Sequence, residues 1–370
     1  MHESEYYLLA RAIEKNPFGI PHKDGDISKA FIDFLKLIYT PQETGLVRFL
    51  DPYPFFKTAQ QVADEAQRKI DEVRAILEGA HTRYALMGLY KKDQHALPTI
   101  FYLFNYHHRY PQIKPHDLEA ARLYQKFFIE EGFYKRFETS DKGTPVFRTL
   151  PVKRSIEPDQ TVLSYEEAHA RIENLGTDEI ALVPCPCRTR TEKLEIRECK
   201  DKFPIAACII PGDNGRKFID LGMGRQATKA QTLKYLDEMQ DLGLVVNSDN
   251  AMAPDPIVMC LCCGCCCSQL RGRTRWDNPG AVLESNFIPL ANENCVMCGT
   301  CVERCFMEAL ALDEDTDRSA VDPQKCIGCG VCTLGCPQDA LKLQRLERTK
   351  PFDTMLDLGI ALYTENSSED

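Results

Sequence analysis

Apolar residues recur at helical spacing from Ser28 to Tyr39, at Ala30, Phe31, Phe34, Leu35 and Ile38, and predict an amphipathic helix. Two more helix starts follow. Thr40-Pro41-Gln42-Glu43 reads as a capping box with proline at the first helical position, and Thr58-Ala59-Gln60-Gln61 as a second box. Val62, Ala63, Ala66, Ile70, Val73, Ile76 and Leu77 then trace two short helices that residues 67–69 can join by a turn. Tyr84 to Leu89, a Lys91-Lys92-Asp93 turn and Thr99 to Phe104 read as a β-hairpin, so residues 28–106 have the pattern of a winged helix. Its second helix carries Asp71, Glu72 and Glu78 against Lys69 and Arg74. A helix that faces phosphates should be basic, so the expectation is a structural or protein-contacting unit with no nucleic acid bound.

Residues 100–150 are dense in Phe and Tyr and predict an aromatic core, with a helix from His116 to Glu131 stopped at Gly132 and β-like sequence from Val146 to Val152. His107 and His108 point apart on any regular element, which favours packing over metal binding. Polar residues from Ile156 to Asp159 mark a boundary. Ser164 to Glu167 reads as a capping box whose helix Gly176 can close, and Glu179 to Val183 as a buried strand running into Pro184-Cys185-Pro186-Cys187-Arg188. A helix from Thr228 to Leu242 stops at Gly243 before a Leu244 to Val246 strand, and Pro256 to Met259 leads into more cysteines. Strand, helix, strand with reactive residues at strand ends is the arrangement of a small α/β domain. Cys185 and Cys260 are therefore expected to face one crevice.

Eight cysteines lie in two runs, Cys295, Cys298, Cys301 and Cys305, then Cys326, Cys329, Cys332 and Cys336, the last followed by Pro337. Each run reads C-x2-C-x2-C-x3-C. Three thiolates at that pitch can wrap one face of an iron-sulfur cube while the fourth turns toward a second cluster. An offset of 31 residues superposes the runs and also lays Ala309-Leu310 on Ala340-Leu341 and Leu312 on Leu343. Zinc modules instead pair C-x2-C dyads across longer loops. Residues 290–346 resemble the bacterial two-cluster ferredoxin domain. The resemblance implies two 4Fe-4S clusters, one held by Cys295, Cys298, Cys301 and Cys336 and the other by Cys326, Cys329, Cys332 and Cys305. Phe306 stands where that family often has proline.

Ten cysteines remain: Cys185, Cys187, Cys199 and Cys208, then Cys260, Cys262, Cys263, Cys265, Cys266 and Cys267. Thiols at such density favour bound metal, and vicinal cysteines point in different directions, so the second run should serve more than one centre or include non-ligands. One or two further iron-sulfur clusters are expected here, with tetrahedral zinc or unligated thiols as alternatives for the first group. Arg188 and Arg190, and Arg271, Arg273 and Arg275 beside the single Trp276, either raise cluster potentials, receive an anionic substrate, or keep the loop solvated.

The expected fold class is α+β and multidomain: a winged-helix-like, aromatic-rich region over 1–155, a small α/β cysteine-rich domain over 156–286, a ferredoxin-like dicluster domain over 287–346 and an acidic tail over 347–370. The whole chain looks like multi-cluster iron-sulfur proteins of anaerobes. Its N-terminus lacks a basic and apolar leader, and no apolar run approaches the about 20 residues that span a bilayer. A cytoplasmic location with reduced thiols and no direct membrane insertion is expected. A net charge of −10 disfavours nucleic acid and suits an electron carrier. No dinucleotide fingerprint, P-loop or nucleophile elbow is present. The leading function is electron transfer to a partner oxidoreductase or flavoprotein subunit. The alternatives are a catalytic oxidoreductase with an open-site cluster at 260–267 that reduces a thiol, disulfide or other small substrate, and a redox-sensing regulator.

Overall fold

Thr40 and Thr58 each accept the backbone N–H three positions on, from Glu43 and Gln61, whose side chains return to the cap N–H at 2.8 Å. These reciprocal bonds satisfy first-turn donors and fix the starts of two helices where the sequence placed them. The computed structural model describes residues 2–53, 55–103, 115–252, 257–346, 348 and 350–367; His107 and His108 lie outside the described residues. The chain divides into two compact units, Met1–Lys142 with Leu362–Asp370, and Gly143–Ala361.

In the first unit, helix α1 (His2–Glu14) precedes a short hairpin, β1 (His22–Lys23) with β2 (Asp26–Ile27). Helices α2 (Lys29–Ile38), α3 (Pro41–Val47), α4 (Ala59–Ala66) and α5 (Ile70–Thr82) follow. Gln67, left-handed at φ 55°, caps α4 by donating to Ala63 and Asp64 and makes the turn into α5. The expected hairpin is displaced: His95, Ala96 and Leu97 make isolated bridges to Lys57, Met87 and Pro52, and residues 99–103 form no strand. Thr99 accepts from the Tyr102 N–H at 3.3 Å and opens helix α6 (Ile100–Leu103) instead. The expected helix over His116 to Glu131 becomes α7 (Pro115–Tyr124) and one π-helical turn at Gln125–Glu130, which places Phe127 and Phe128 inward. Phe34 meets Phe127 edge-on at 5.3 Å and Tyr124 stacks on Phe128 at 4.8 Å, so the aromatics do form a core.

The second unit is built on a six-stranded sheet: β3 (Phe147–Leu150), β4 (Ile180–Pro184), β5 (Ala207–Pro211), β6 (Arg225–Ala227), β7 (Val245–Asp249) and β8 (Met259–Cys262), in the order β3-β7-β8-β5-β4-β6. Every neighbouring pair is antiparallel. Periodicity marks elements without their direction, and here it misled: the crossover pattern of a parallel α/β domain is absent from the described sheet. The edge strand β3 comes from the stretch the sequence grouped with the first region, held by pairs such as Thr149 with Asn247. Helix α8 (Ala168–Glu173) is capped by Glu167 itself, whose carboxylate accepts from His169 and Ala170 at 2.7 Å, rather than by Ser164. Thr228 and Gly243 bound helix α9 (Lys229–Leu242) as expected.

After the sheet, β9 (Phe287–Ala291) pairs antiparallel with β12 (Leu341–Arg345), and β10 (Leu310–Asp313) with β11 (Arg318–Val321). Several contacts tie this module to the preceding sequence, two of them around Ile156 and Glu166. Glu157 donates to the Leu343 carbonyl at 3.1 Å, beside a small core of Ile156, Phe287 and Leu343. Buried Glu166 receives both Nη groups of Arg345, at 2.9 and 3.0 Å, and the Asn286 amide at 2.7 Å. The expected acidic tail contains a helix at Met355–Ser367. The described residues are thus mixed helix and sheet, and none of their helices is long and apolar enough to cross a membrane.

Candidate metal centres

Two cavities open inside the β9 to β12 module. The first is lined by Cys295, Cys298, Cys301 and Cys336 with Met297 and Leu341. The second is lined by Cys305, Cys326, Cys329 and Cys332 with Ile327 and Val331. The fourth cysteine of each run thus borders the other run's cavity. Backbone amides point at these sulfurs in the same way in both halves: Ala309 donates to Cys305 Sγ at 3.4 Å and Ala340 to Cys336 Sγ at 3.2 Å. Burial pushes the Cys326 thiol up to about 11 and Cys329 up to about 12. Buried thiols resist ionising alone, whereas a cation among them supplies the missing charge. Four thiols around an enclosed space of this kind fit a 4Fe-4S cube.

The repeat extends into the backbone. Left-handed residues recur at the same offset: Met297 and Gly328 at φ 51° and 66°, Gly299 and Gly330 at 79° and 77°, Glu308 and Asp339 at 51° and 49°. Residues 294–354 match the family model of the 4Fe-4S dicluster domain. No curated protein and no solved structure matches the chain. The matched family accounts for the iron-sulfur character of the C-terminal module.

The other ten cysteines separate into two sets. Cys199, Cys263, Cys265 and Cys266 converge so that all four sulfurs lie within 4.8 Å of one another. The remaining six form an open ring on the sheet. Cys260 and Cys262 alternate with Leu261 on β8 and so project to one face, with Cys208 of β5 beside Cys260 at 4.0 Å between sulfurs. Cys185 follows β4 and is within hydrogen-bonding reach of Cys187 and Cys208, and Cys262 is within reach of Cys260 and Cys267. Cys185 and Cys260 therefore share one site, as expected, although the strands are antiparallel.

Helix α10 (Pro186–Lys193) carries Arg188 between the two sets. Arg188 is buried and donates Nε to the Ile205 carbonyl at 2.7 Å and Nη2 to the Leu261 carbonyl at 2.8 Å. Burial alone would lower its guanidinium, but the sulfurs of Cys185, Cys263 and Cys262 outweigh burial and hold it above its ordinary value. In each set one thiol is drawn far down by its neighbours: Cys185 by hydrogen bonds from Cys187 and Cys208, Cys263 by those from Cys199, Cys265 and Cys266. The other arginines divide. Arg271 stacks on Trp276 at 4.8 Å and Arg275 forks onto Glu198 at 2.7 and 2.9 Å, both close enough to the Cys199 set to feel its charge. Arg273 instead ties Val282, Glu284 and Gln324 together.

Two contacts link the dicluster domain to these sets. Phe306, next to Cys305, packs on Gly264, where an added Cβ would stand 2.8 Å from the Phe306 Cβ, and meets Phe203 edge-on at 5.9 Å. A proline at 306 would present no such ring. Val245, which lines the second cavity, lies directly across the β7–β8 ladder from Cys262. Sequence reasoning missed Val245, and also missed Arg197 beside Cys199 and Thr191, whose hydroxyl lies 3.2 Å from Cys266 Sγ. None sits in a motif, and for Val245 and Thr191 only the fold brings them to the sulfurs.

Proposed function

We propose that the protein is an iron-sulfur electron carrier in which the two dicluster centres exchange single electrons with a third iron-sulfur centre in the six-thiol ring of the sheet. The observation that carries this reading is the pairing of Val245 with Cys262, which places the ring one side chain from the second cavity. Cys295, Cys298, Cys301 and Cys336 hold the first cluster, and Cys305, Cys326, Cys329 and Cys332 the second. The ring exceeds the four thiolates that one cube uses, so it has ligands enough for a further centre. Electrons enter from a partner oxidoreductase or flavoprotein subunit where Cys298 and Val296 are exposed. The winged-helix-like pattern of the first unit serves protein docking rather than nucleic acid, because Arg68 and Arg74 of that stretch are paired with Glu72 and Asp71. Arg271 stacks on Trp276, and Arg273 and Arg275 are bound to Glu284 and Glu198 of the same chain, which supports relay over substrate capture.

Anaerobically purified protein should contain more iron than two cubes account for. Cys262→Ala should remove a paramagnetic signal and the excess iron while leaving both dicluster signals, and Cys305→Ala should damage the centre of Cys326, Cys329 and Cys332 before that of Cys295, Cys298 and Cys301. Iron limited to two cubes, with spectra unchanged by Cys262→Ala, would sink the third centre.

A further inference from the structure

The four-sulfur set built from Cys199, Cys263, Cys265 and Cys266 differs in kind from the dicluster sets. Its sulfurs stand 3.8 Å apart for Cys199 with Cys263 and for Cys199 with Cys266, 3.7 Å for Cys263 with Cys265, and 3.5 Å for Cys265 with Cys266. A single ion bound tetrahedrally at about 2.3 Å from each sulfur sets those edges at about 3.8 Å. A cube carries iron at each corner and holds its outer sulfurs farther apart, around an enclosed space. The dicluster cysteines do not converge in the way a single ion needs but line two separate pockets. The Cys199 set converges on one point.

Its surroundings agree. Cys263 and Cys266 are fully buried and Cys199 is 6 % exposed, so three of the four sulfurs are shielded from water and only Cys265 is half-buried. When a divalent ion displaces the four thiol protons, the site keeps two negative charges. Arg188 and Arg197 reach the sulfurs of Cys263 and Cys199, and the charges of Arg271 and Arg275 act on the same set from farther away. Thr191 adds a hydroxyl to Cys266 at 3.2 Å. Such outer partners orient ligands and stabilise the bound charge.

We infer that Cys199, Cys263, Cys265 and Cys266 bind one tetrahedral zinc ion with all four positions filled by protein. Closed tetrathiolate zinc is structural and has no accessible redox state. Here it pins the loop after β8 to the loop carrying Cys199 and Phe203, the two surfaces on which Phe306 packs. The ion fixes the joint between the sheet and the dicluster domain, and the electron passes by Val245 instead. This holds whether or not the six-thiol ring carries iron, and it narrows the iron expected among the ten middle cysteines to that ring.

Metal analysis of the full-length, anaerobically purified protein should find one zinc per chain beside its iron. Cys265→Ser, at a half-buried position, should lose the zinc and keep the iron and paramagnetic signals, whereas Cys262→Ala should lower iron alone. Replacing the ion with cobalt should give the intense red-region ligand-field absorption of a tetrahedral tetrathiolate, absent from Cys265→Ser. That readout on the wild-type chain stands even if a variant folds poorly. Zinc below half an equivalent, no cobalt band, or iron at this position as a cluster or a single high-spin ferric ion would overturn the inference. Failure of the third iron centre would show in the Cys262→Ala iron count and leave the zinc result untouched.

Discussion

Gly328 and Met297 occupy equivalent left-handed positions, yet only one of them needs to be glycine. A Cβ at Gly328 would stand 2.2 Å from the Phe287 carbonyl oxygen and 2.3 Å from Ser285 Oγ, whereas Met297 turns its side chain into the first cavity. Backbone strain and overpacking together make Gly328→Ala cost about 3 kcal/mol. It should lower iron occupancy of the second centre, and Met297→Gly should leave occupancy intact. Iron and paramagnetic quantification of both variants checks this; full occupancy in Gly328→Ala contradicts it. At this scale the sequence was most informative about sulfur: the pitch of the two runs says that the fourth cysteine of each turns away from the other three, and the ferredoxin resemblance implies which cysteines group together. It said nothing of Thr191, because a residue that approaches a sulfur from another element leaves no spacing to read, and nothing of Arg197, whose place two residues before Cys199 forms no motif.

Among the elements, what could be read depended on whether the signal was local. Thr40, Thr58 and Thr228 cap their helices because a capping box is satisfied within four residues. Ser164 does not, because Glu166 and Glu167 take over both roles, one capping α8 and the other reaching Arg345 of β12. Strand direction in the six-stranded sheet was illegible, since an apolar run such as Ile180 to Val183 is the same in either sense. The Glu166 to Arg345 contact carries a pH dependence. Burial alone would raise the Glu166 carboxyl, but the Arg345 fork, the Leu163 N–H and the Asn286 amide outweigh burial and hold it below the usual range. A carboxyl lowered by folding contributes stability above its unfolded value of about 4.3, and that contribution is lost as pH falls through the lower folded value. Glu166→Gln should therefore cost about 2 kcal/mol at pH 7. In urea titrations the gap from wild type should close toward pH 3; a gap that is constant with pH would mean the charge plays no part.

Across the second unit, the two dicluster cavities differ in their exposure to solvent. Val296 is 60 % exposed and Cys298 is open at the rim of the first, while Cys326 and Cys332 of the second are 7 % and 6 % exposed beneath Ile327 and Val331. That asymmetry sets an order of decay in air. Dioxygen reaches the Cys298 corner by diffusion from bulk, but reaches the second centre only when the surrounding side chains open, a rarer event governed by local unfolding. Visible absorbance should therefore bleach in two phases after brief aeration, the fast one carrying the first centre's signal. The fast phase should keep its rate under mild stabilising conditions that retard the slow one.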